Sequence, residues 1–151
     1  MFPNLCVLVV EASPHLRRIY RDLLNQVGLR RILEATDGAE AIGIFEQRRP
    51  NIVLVDWDVQ LLNGEELVRM IRSPAVSPSP KVPVIVTMAQ CTQDNVIKAT
   101  SAGANEVLAK PISPKALWQH LQGVISIPRT FTTVGAHLRP EQRVFSNADF
   151  F

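Results

Sequence analysis

Hydrophobic positions fall along the chain in two alternating textures. The first is the short unbroken apolar run. Leu5 to Val10 (LCVLVV), Asn51 to Asp56 (NIVLVD) and Val82 to Thr87 (VPVIVT) have this form, which marks strands buried on both faces. Arg31 to Ala35 (RILEA) and Glu106 to Ala109 (EVLA) read as two further short strands. The second texture is helical spacing. Leu16, Ile19, Tyr20, Leu23, Leu24 and Val27 form one apolar stripe, with Ser13 as N-cap, Pro14 at the first helical position and Gly28 as the stop. Arg17, Arg18 and Arg21 fall on the opposite face, where solvation is the ordinary expectation. Gly38 to Arg48, Gly64 to Arg72, Gln93 to Ser101 and Pro114 to Ile125 complete five helices. The inward positions of the last helix are Leu117, Leu121, Val124 and Ile125. Ser73 to Lys81 (SPAVSPSPK) is a loop and not a domain boundary, because the pattern resumes at once.

Five strands alternating with five helices predict an α/β fold, a parallel sheet with helices on both faces. Right-handed crossovers restrict the topology, and the flavodoxin-like (βα)5 order 2-1-3-4-5 is the expected one. That order opens a crevice at the carboxyl ends of strands one and three. Glu11 follows the first strand and Asp56 ends the third, so two acids reach one crevice. Strand four ends at Thr87, and strand five leads to Lys110 followed by Pro111.

Composition narrows the setting without naming a task. The 151 residues carry a formal net charge of +2, too mild to argue for nucleic acid. No apolar run approaches the ~20 residues of a membrane span. Met1-Phe2-Pro3-Asn4 lacks the basic start of a signal peptide, and Glu11 interrupts the apolar stretch. A cytoplasmic location is expected. Cys6 and Cys91 have no zinc-ligand spacing and are expected to be reduced.

Taken singly, Glu11, Asp56, Thr87 and Lys110 have ordinary readings as strand ends, caps or surface charges. Delivered together to one rim, they form the set that phosphoryl transfer to a carboxylate needs. A carboxylate can attack phosphorus, acids can hold a divalent ion, and a hydroxyl and an ammonium can hold phosphoryl oxygens.

At these residues the chain resembles the receiver domain of two-component response regulators. The segments VLVVEASP, IVLVDWD, NGEEL, VPVIVT and SAGANEVLAKP carry the resemblance over roughly residues 5 to 125. It implies a non-enzymatic phosphorelay switch with Asp56 as phosphoacceptor, Thr87 as switch hydroxyl and Lys110 as the active-site lysine. It also implies a cis Lys110-Pro111 bond, a magnesium ion near Glu11, Asp56 and Asp58, and a histidine kinase or phosphotransfer protein as donor. A downstream protein partner would read the switch. The usual contact surface combines the fourth helix, fifth strand and fifth helix, where Trp118 is expected to be partly exposed and to serve a partner or a homodimer. Neither nucleic acid nor membrane is implied.

The sequence departs from that pattern at named positions. Ala12 stands where such domains usually carry the second acid, generally the direct magnesium ligand, so weak magnesium binding is expected. Val107 stands at the usual aromatic switch position, and DVQLLNG lacks the common Met-Pro. These departures support an alternative, a degenerate receiver that binds partners without phosphorylation. A remote alternative is a haloacid dehalogenase-like phosphatase, with Asp56 as nucleophile and Asp58 as general acid. Against it, two strand–helix units precede the motif and no acidic pair follows Lys110.

The expected division is a receiver domain over residues 1–126 and a C-terminal extension over 127–151, a stand-alone receiver with a short tail. Phe131, Phe145, Phe150 and Phe151 lie in the tail, and their burial against the domain or a second copy is expected, since disordered tails are poor in aromatics.

Overall fold

The computed structural model describes residues 4–126 and 128–142. Its elements follow in the order β1 (Cys6–Val10), α1 (Pro14–Gln26), β2 (Arg31–Ala35), α2 (Gly38–Arg48), β3 (Ile52–Asp56), α3 (Gly64–Arg72), β4 (Val84–Met88), α4 (Gln93–Ala102), β5 (Glu106–Ala109) and α5 (Pro114–Ser126). The five strands form one parallel sheet in the order β2-β1-β3-β4-β5. The flavodoxin-like expectation holds.

Unbroken apolar runs become β1, β3 and β4, whose residues are all buried. Successive side chains of a strand point to opposite faces, so each run feeds two cores. Leu8, Val53, Val55, Val84 and Val86 pack with Phe45, Leu67, Ile71 and Ala99 of α2, α3 and α4. Val7, Val9, Leu54, Ile85 and Leu108 pack with Tyr20, Leu24, Leu117, Leu121 and Val124 of α1 and α5.

Helix starts follow their capping chemistry. Ser13 accepts from the amide of Leu16, ahead of Pro14. Asn63 and Glu66 form a reciprocal capping box on α3. Ile19, placed on the inward stripe of α1, is instead 36% exposed, because it lies at the margin of the stripe that Tyr20 and Leu24 bury. Strand β4 starts two residues later than its apolar run. Val82 turns back, its amide bonded to Ser79 and its carbonyl taken by Arg72, and Pro83 has no amide to give the ladder.

Beyond α5 the chain forms an antiparallel hairpin, β6 (Phe131–Val134) and β7 (His137–Pro140). The turn is Gly135-Ala136, with Gly135 at φ +61, a two-residue turn whose first position favours glycine. The sequence pattern did not predict this hairpin, because its strands are four residues long and carry few apolar side chains. Phe131 is partly buried, with the guanidinium of Arg72 5.0 Å above its ring. Phe145, Phe150 and Phe151 lie outside the described residues.

The hairpin closes the amino-terminal edge of the sheet. Arg72, at the end of α3, is fully buried. It donates to the carbonyls of Gly103, Pro80 and Val82 and to Asn105 Oδ1 at 2.6–2.9 Å. Burial, and then the nearby Arg129, push its pKa down to about 9. Arg129 pairs at 2.6 Å with the fully buried Glu106, whose other oxygen receives His120 Nδ1 at 3.1 Å. His137 of β7 donates to the Ser101 carbonyl at 2.9 Å. Residues after α5 thereby reach α4 and the start of β5.

Candidate functional site

Four neighbouring strands point their carboxyl ends at one crevice, and side-chain parity decides what enters it. Val9, Leu54, Ile85 and Leu108 belong to the core layer under α1 and α5. Two residues on from each, and so on the same face, come Glu11, Asp56, Thr87 and Lys110. The four residues singled out from the sequence therefore crown one core layer.

Their contacts converge on Lys110. Its ammonium lies 2.7 Å from Glu11 Oε1 and 3.3 Å from Asp56 Oδ1. The Lys110-Pro111 bond is cis, as expected, and the Lys110 amide donates to the Met88 carbonyl at 2.8 Å. The second oxygen of Glu11 accepts from the Ser13 amide at 3.1 Å. Asp56 Oδ1 also accepts from the Asp58 amide at 3.3 Å. Thr87 is 1% exposed, and its Oγ1 has no completed hydrogen bond. An orphaned buried hydroxyl is costly and uncommon.

Electrostatics follow from this crowding. Burial raises the Asp56 pKa above the ordinary 3.8, Lys110 lowers it, and Glu11 raises it again. The outcome is a carboxylate that is costly to ionise. Burial pulls Lys110 down, but its hydrogen bond to Glu11 and the charge of Asp56 outweigh that, and its pKa lies above 10.5.

Asp58 does not join the cluster. Its side chain is exposed, and it meets Asp56 only through its backbone amide. Among the described residues, no group of three or more Asp, Glu, His or Cys side chains is arranged to hold a metal ion. The expected acidic trio of Glu11, Asp56 and Asp58 is thus a pair with a lysine between. The turn after Trp57 aims the Asp58 amide inward, so its carboxylate points to water. Ala12 is exposed and contributes only its carbonyl, which accepts from Arg17 at 3.0 Å.

Sequence reasoning missed two contributors. Arg17 is no solvated cation: it donates to the Glu11 carbonyl at 2.7 Å and pairs with Glu34, as does Arg21. These contacts tie α1 and β2 to the loop carrying Glu11. Tyr20, read as part of an apolar stripe, lies beneath the crevice. Its phenol feels Lys110, Glu11, Thr87 and Asp56, and burial, the largest influence, raises its pKa above 10.0. A hydroxyl on an otherwise apolar helix face was the available signal.

The loop beside Asp56 is held by two close approaches. A Cβ on Gly64 would lie 2.7 Å from the Trp57 Cα, and one on Gly38 would strike the Leu62 carbonyl. Leu61 and Leu62 have φ of 52 and 91, backbone that non-glycine residues rarely adopt. This DVQLLNG loop is therefore strained and braced from α2.

Trp118 on α5 is half-buried, as expected, beside the fully inward Leu117 and Leu121. Among the described residues no helix is long and apolar enough to cross a membrane.

Comparison with known proteins agrees with this geometry. The family model described as the response regulator receiver domain matches residues 7–122. Chemotaxis protein CheY1 of Helicobacter pylori is 33% identical over 120 residues, 79% of this chain and 95% of that protein. A CheY homolog of Campylobacter jejuni is 32% identical over 79% of this chain and 91% of its own length. Among solved structures, the receiver domain of a Pseudomonas aeruginosa sensor histidine kinase has a TM-score of 0.73 at 27% identity. The alignment covers 82% of this chain and 98% of that one, which holds a magnesium ion in its active site cleft. Vibrio cholerae CheY4 shares the fold, with a TM-score of 0.73 at 24% identity over 80% and 98% of the two chains. These findings set the phosphatase alternative aside: the chain belongs to the response regulator receiver domain family and serves phosphorelay signal transduction.

Proposed function

We propose that Asp56 accepts a phosphoryl group and that the crevice of Glu11, Asp56, Thr87 and Lys110 is the phosphorylation site. The observation that supports this most directly is the Lys110 ammonium, which bridges Glu11 and Asp56 beside the orphaned hydroxyl of Thr87. Asp56 Oδ1 is engaged by Lys110 and the Asp58 amide, which assigns the attack to Oδ2. With a phosphohistidine donor, the Oδ2–P bond forms as the P–N bond breaks, and the electron pair leaves on the imidazole nitrogen. Lys110 and Thr87 then hold phosphoryl oxygens, an ion pair and a hydrogen bond set in place before the reaction.

Glu11 and Asp56, with the backbone carbonyl of Asp58, are the groups that would hold magnesium. When bound, it neutralises charge on the phosphoryl oxygens. Ala12 withholds a ligand and Lys110 already supplies a cation, so this chain's affinity is weak.

The donor is a histidine kinase or phosphotransfer protein, and the output is a contact with a downstream protein in the cytoplasm. Neither nucleic acid nor membrane is involved. The face of α4, β5 and α5, with Trp118, is the contact surface for that partner or for a homodimer. Residues 1–126 are the receiver unit and 127–151 an extension, of which the described residues 128–142 brace the unit. Sedimentation of Trp118→Ala against the parent tests the homodimer: unchanged self-association would remove Trp118 from it.

Intact-mass analysis after exposure to acetyl phosphate, with and without magnesium, tests the central reading. The parent should gain one phosphoryl group and Asp56→Asn none. A parent that stays unlabelled would favour the degenerate receiver, a module that binds partners without phosphorylation.

A further inference from the structure

Tyr20 is the only tyrosine in the chain. It is 3% exposed and sits in the layer formed by Val9, Leu24, Leu108 and Leu117. The other members of that layer are apolar, and a phenylalanine would fill the same space without bringing a hydroxyl into it. The layer ends upward in Glu11, Asp56, Thr87 and Lys110, each two residues beyond one of its members. Tyr20 therefore approaches the crevice from beneath, on the face from which all four side chains project.

Two hydroxyls meet there, and one of them is unsatisfied. Thr87 Oγ1 is buried with no completed hydrogen bond. The Tyr20 phenol is close enough to interact with it and to sense the charges of Lys110, Glu11 and Asp56, yet the two fall short of full hydrogen-bond geometry. Each has a proton to give and lone pairs to receive. A small shift of Thr87 toward a phosphoryl oxygen would let it donate upward while accepting from Tyr20 below. Hydrogen bonds in such a chain polarise and strengthen one another in a water-poor site.

Resting on the assignment of Asp56 as acceptor, we propose that Tyr20 is a positioning residue of the phosphorylation site. Its hydroxyl donates to Thr87 Oγ1, aiming the Thr87 proton at the phosphoryl group and prolonging the life of the aspartyl phosphate. Loss of that group occurs when water adds to phosphorus and the Oδ2–P bond breaks, releasing the Asp56 carboxylate and inorganic phosphate. Tyr20 touches neither water nor phosphorus in this step. It acts through Thr87.

The test is the decay of the phosphoryl group on the full chain after labelling with acetyl phosphate and magnesium. Tyr20→Phe keeps the ring and removes only the hydroxyl. It should melt as the parent does and shorten the lifetime roughly two- to tenfold, the effect of one net hydrogen bond. In a Thr87→Val background the same change should lose most of its effect, since coupled residues are non-additive. An equal lifetime in Tyr20→Phe overturns the role of Tyr20 alone, and so does an effect that persists undiminished beside Thr87→Val. Failure of Tyr20→Phe to fold would make the hydroxyl a packing requirement and would also overturn it. A parent that takes up no phosphoryl group overturns the assignment of Asp56 first, and the role of Tyr20 with it.

Discussion

The sheet has two poles, and both bury charge. At the amino-terminal pole, Arg72 meets four oxygens, and Glu106 sits between Arg129 and His120. At the carboxyl pole, two acids share one lysine, Asp56 is costly to ionise, and Thr87 Oγ1 is unsatisfied. The same chain thus pairs its buried charges at one end, where Gln142 Oε1 is the buried side-chain atom left over, and at the other leaves two acids competing for one cation beside an unsatisfied hydroxyl. Completed networks hold a structure, whereas unresolved groups mark a place where another group belongs.

Substitution at the first pole should break this contrast most severely. Arg72→Met would strip three carbonyls of their guanidinium donor and leave Asn105 Oδ1 with the Val84 amide alone, and should cost about 3–5 kcal/mol in chemical denaturation. A loss below about 1 kcal/mol would mean the network is not structural. Arg129→Met should cost about 2–4 kcal/mol, because Glu106 keeps a buried charge without its guanidinium. It should also lift the Arg72 pKa, since Arg129 is one of the influences holding it down. A melting temperature equal to the parent's would detach residues after α5 from the stability of the domain.

At the second pole the expected changes are smaller and of the opposite sign. Ala12→Asp should tighten magnesium binding roughly tenfold, about 1.4 kcal/mol. Trp57 fluorescence can follow it once Trp118 is replaced by phenylalanine. A parent that already binds as tightly would show that the alanine is no defect.

Asp56→Asn should raise the melting temperature, by ~2–4 °C for each kcal/mol released. The raised pKa means that the folded state binds the Asp56 proton more tightly than the unfolded chain does. Aspartate therefore costs nothing below the ordinary 3.8, and its cost grows as pH climbs from there through the raised value. The gain from asparagine should be absent in acid and complete near neutrality. A gain of equal size at both ends would sever it from the ionisation of Asp56.

The second pole was largely legible in the sequence, and the first was not. Glu11, Asp56, Thr87 and Lys110 each follow an apolar run, so strand order alone gathers them. Arg72 stood in the sequence only as the last residue of a helix; its partner Asn105 is 33 residues away, and nothing local joins them. Tyr20 was hidden for a related reason: its ring satisfies the apolar stripe, and only the assembled sheet brings Thr87 above it. Asp58 was misread because spacing places a carboxylate near the crevice but does not say which side of the turn it faces. The hairpin escaped notice because its strands bury little surface of their own.

The closure at the amino-terminal pole also sets how α4 can travel. Arg72 grips the Gly103 carbonyl and His137 the Ser101 carbonyl, whereas the first turn of α4 is capped by its own Thr92. The helix is a lever with its fulcrum at Gly103. Ten residues span about 15 Å, so a tilt of ~5° would carry the free end by only about 1.3 Å. A displacement of the segment between β4 and α4 would then be greatest at the Gln93 end and would die away toward Ala102. Amide exchange that is faster at Asn95 to Ile97 than at Ala99 to Ala102 would be the signature of that pivot, and uniform exchange along α4 would deny it.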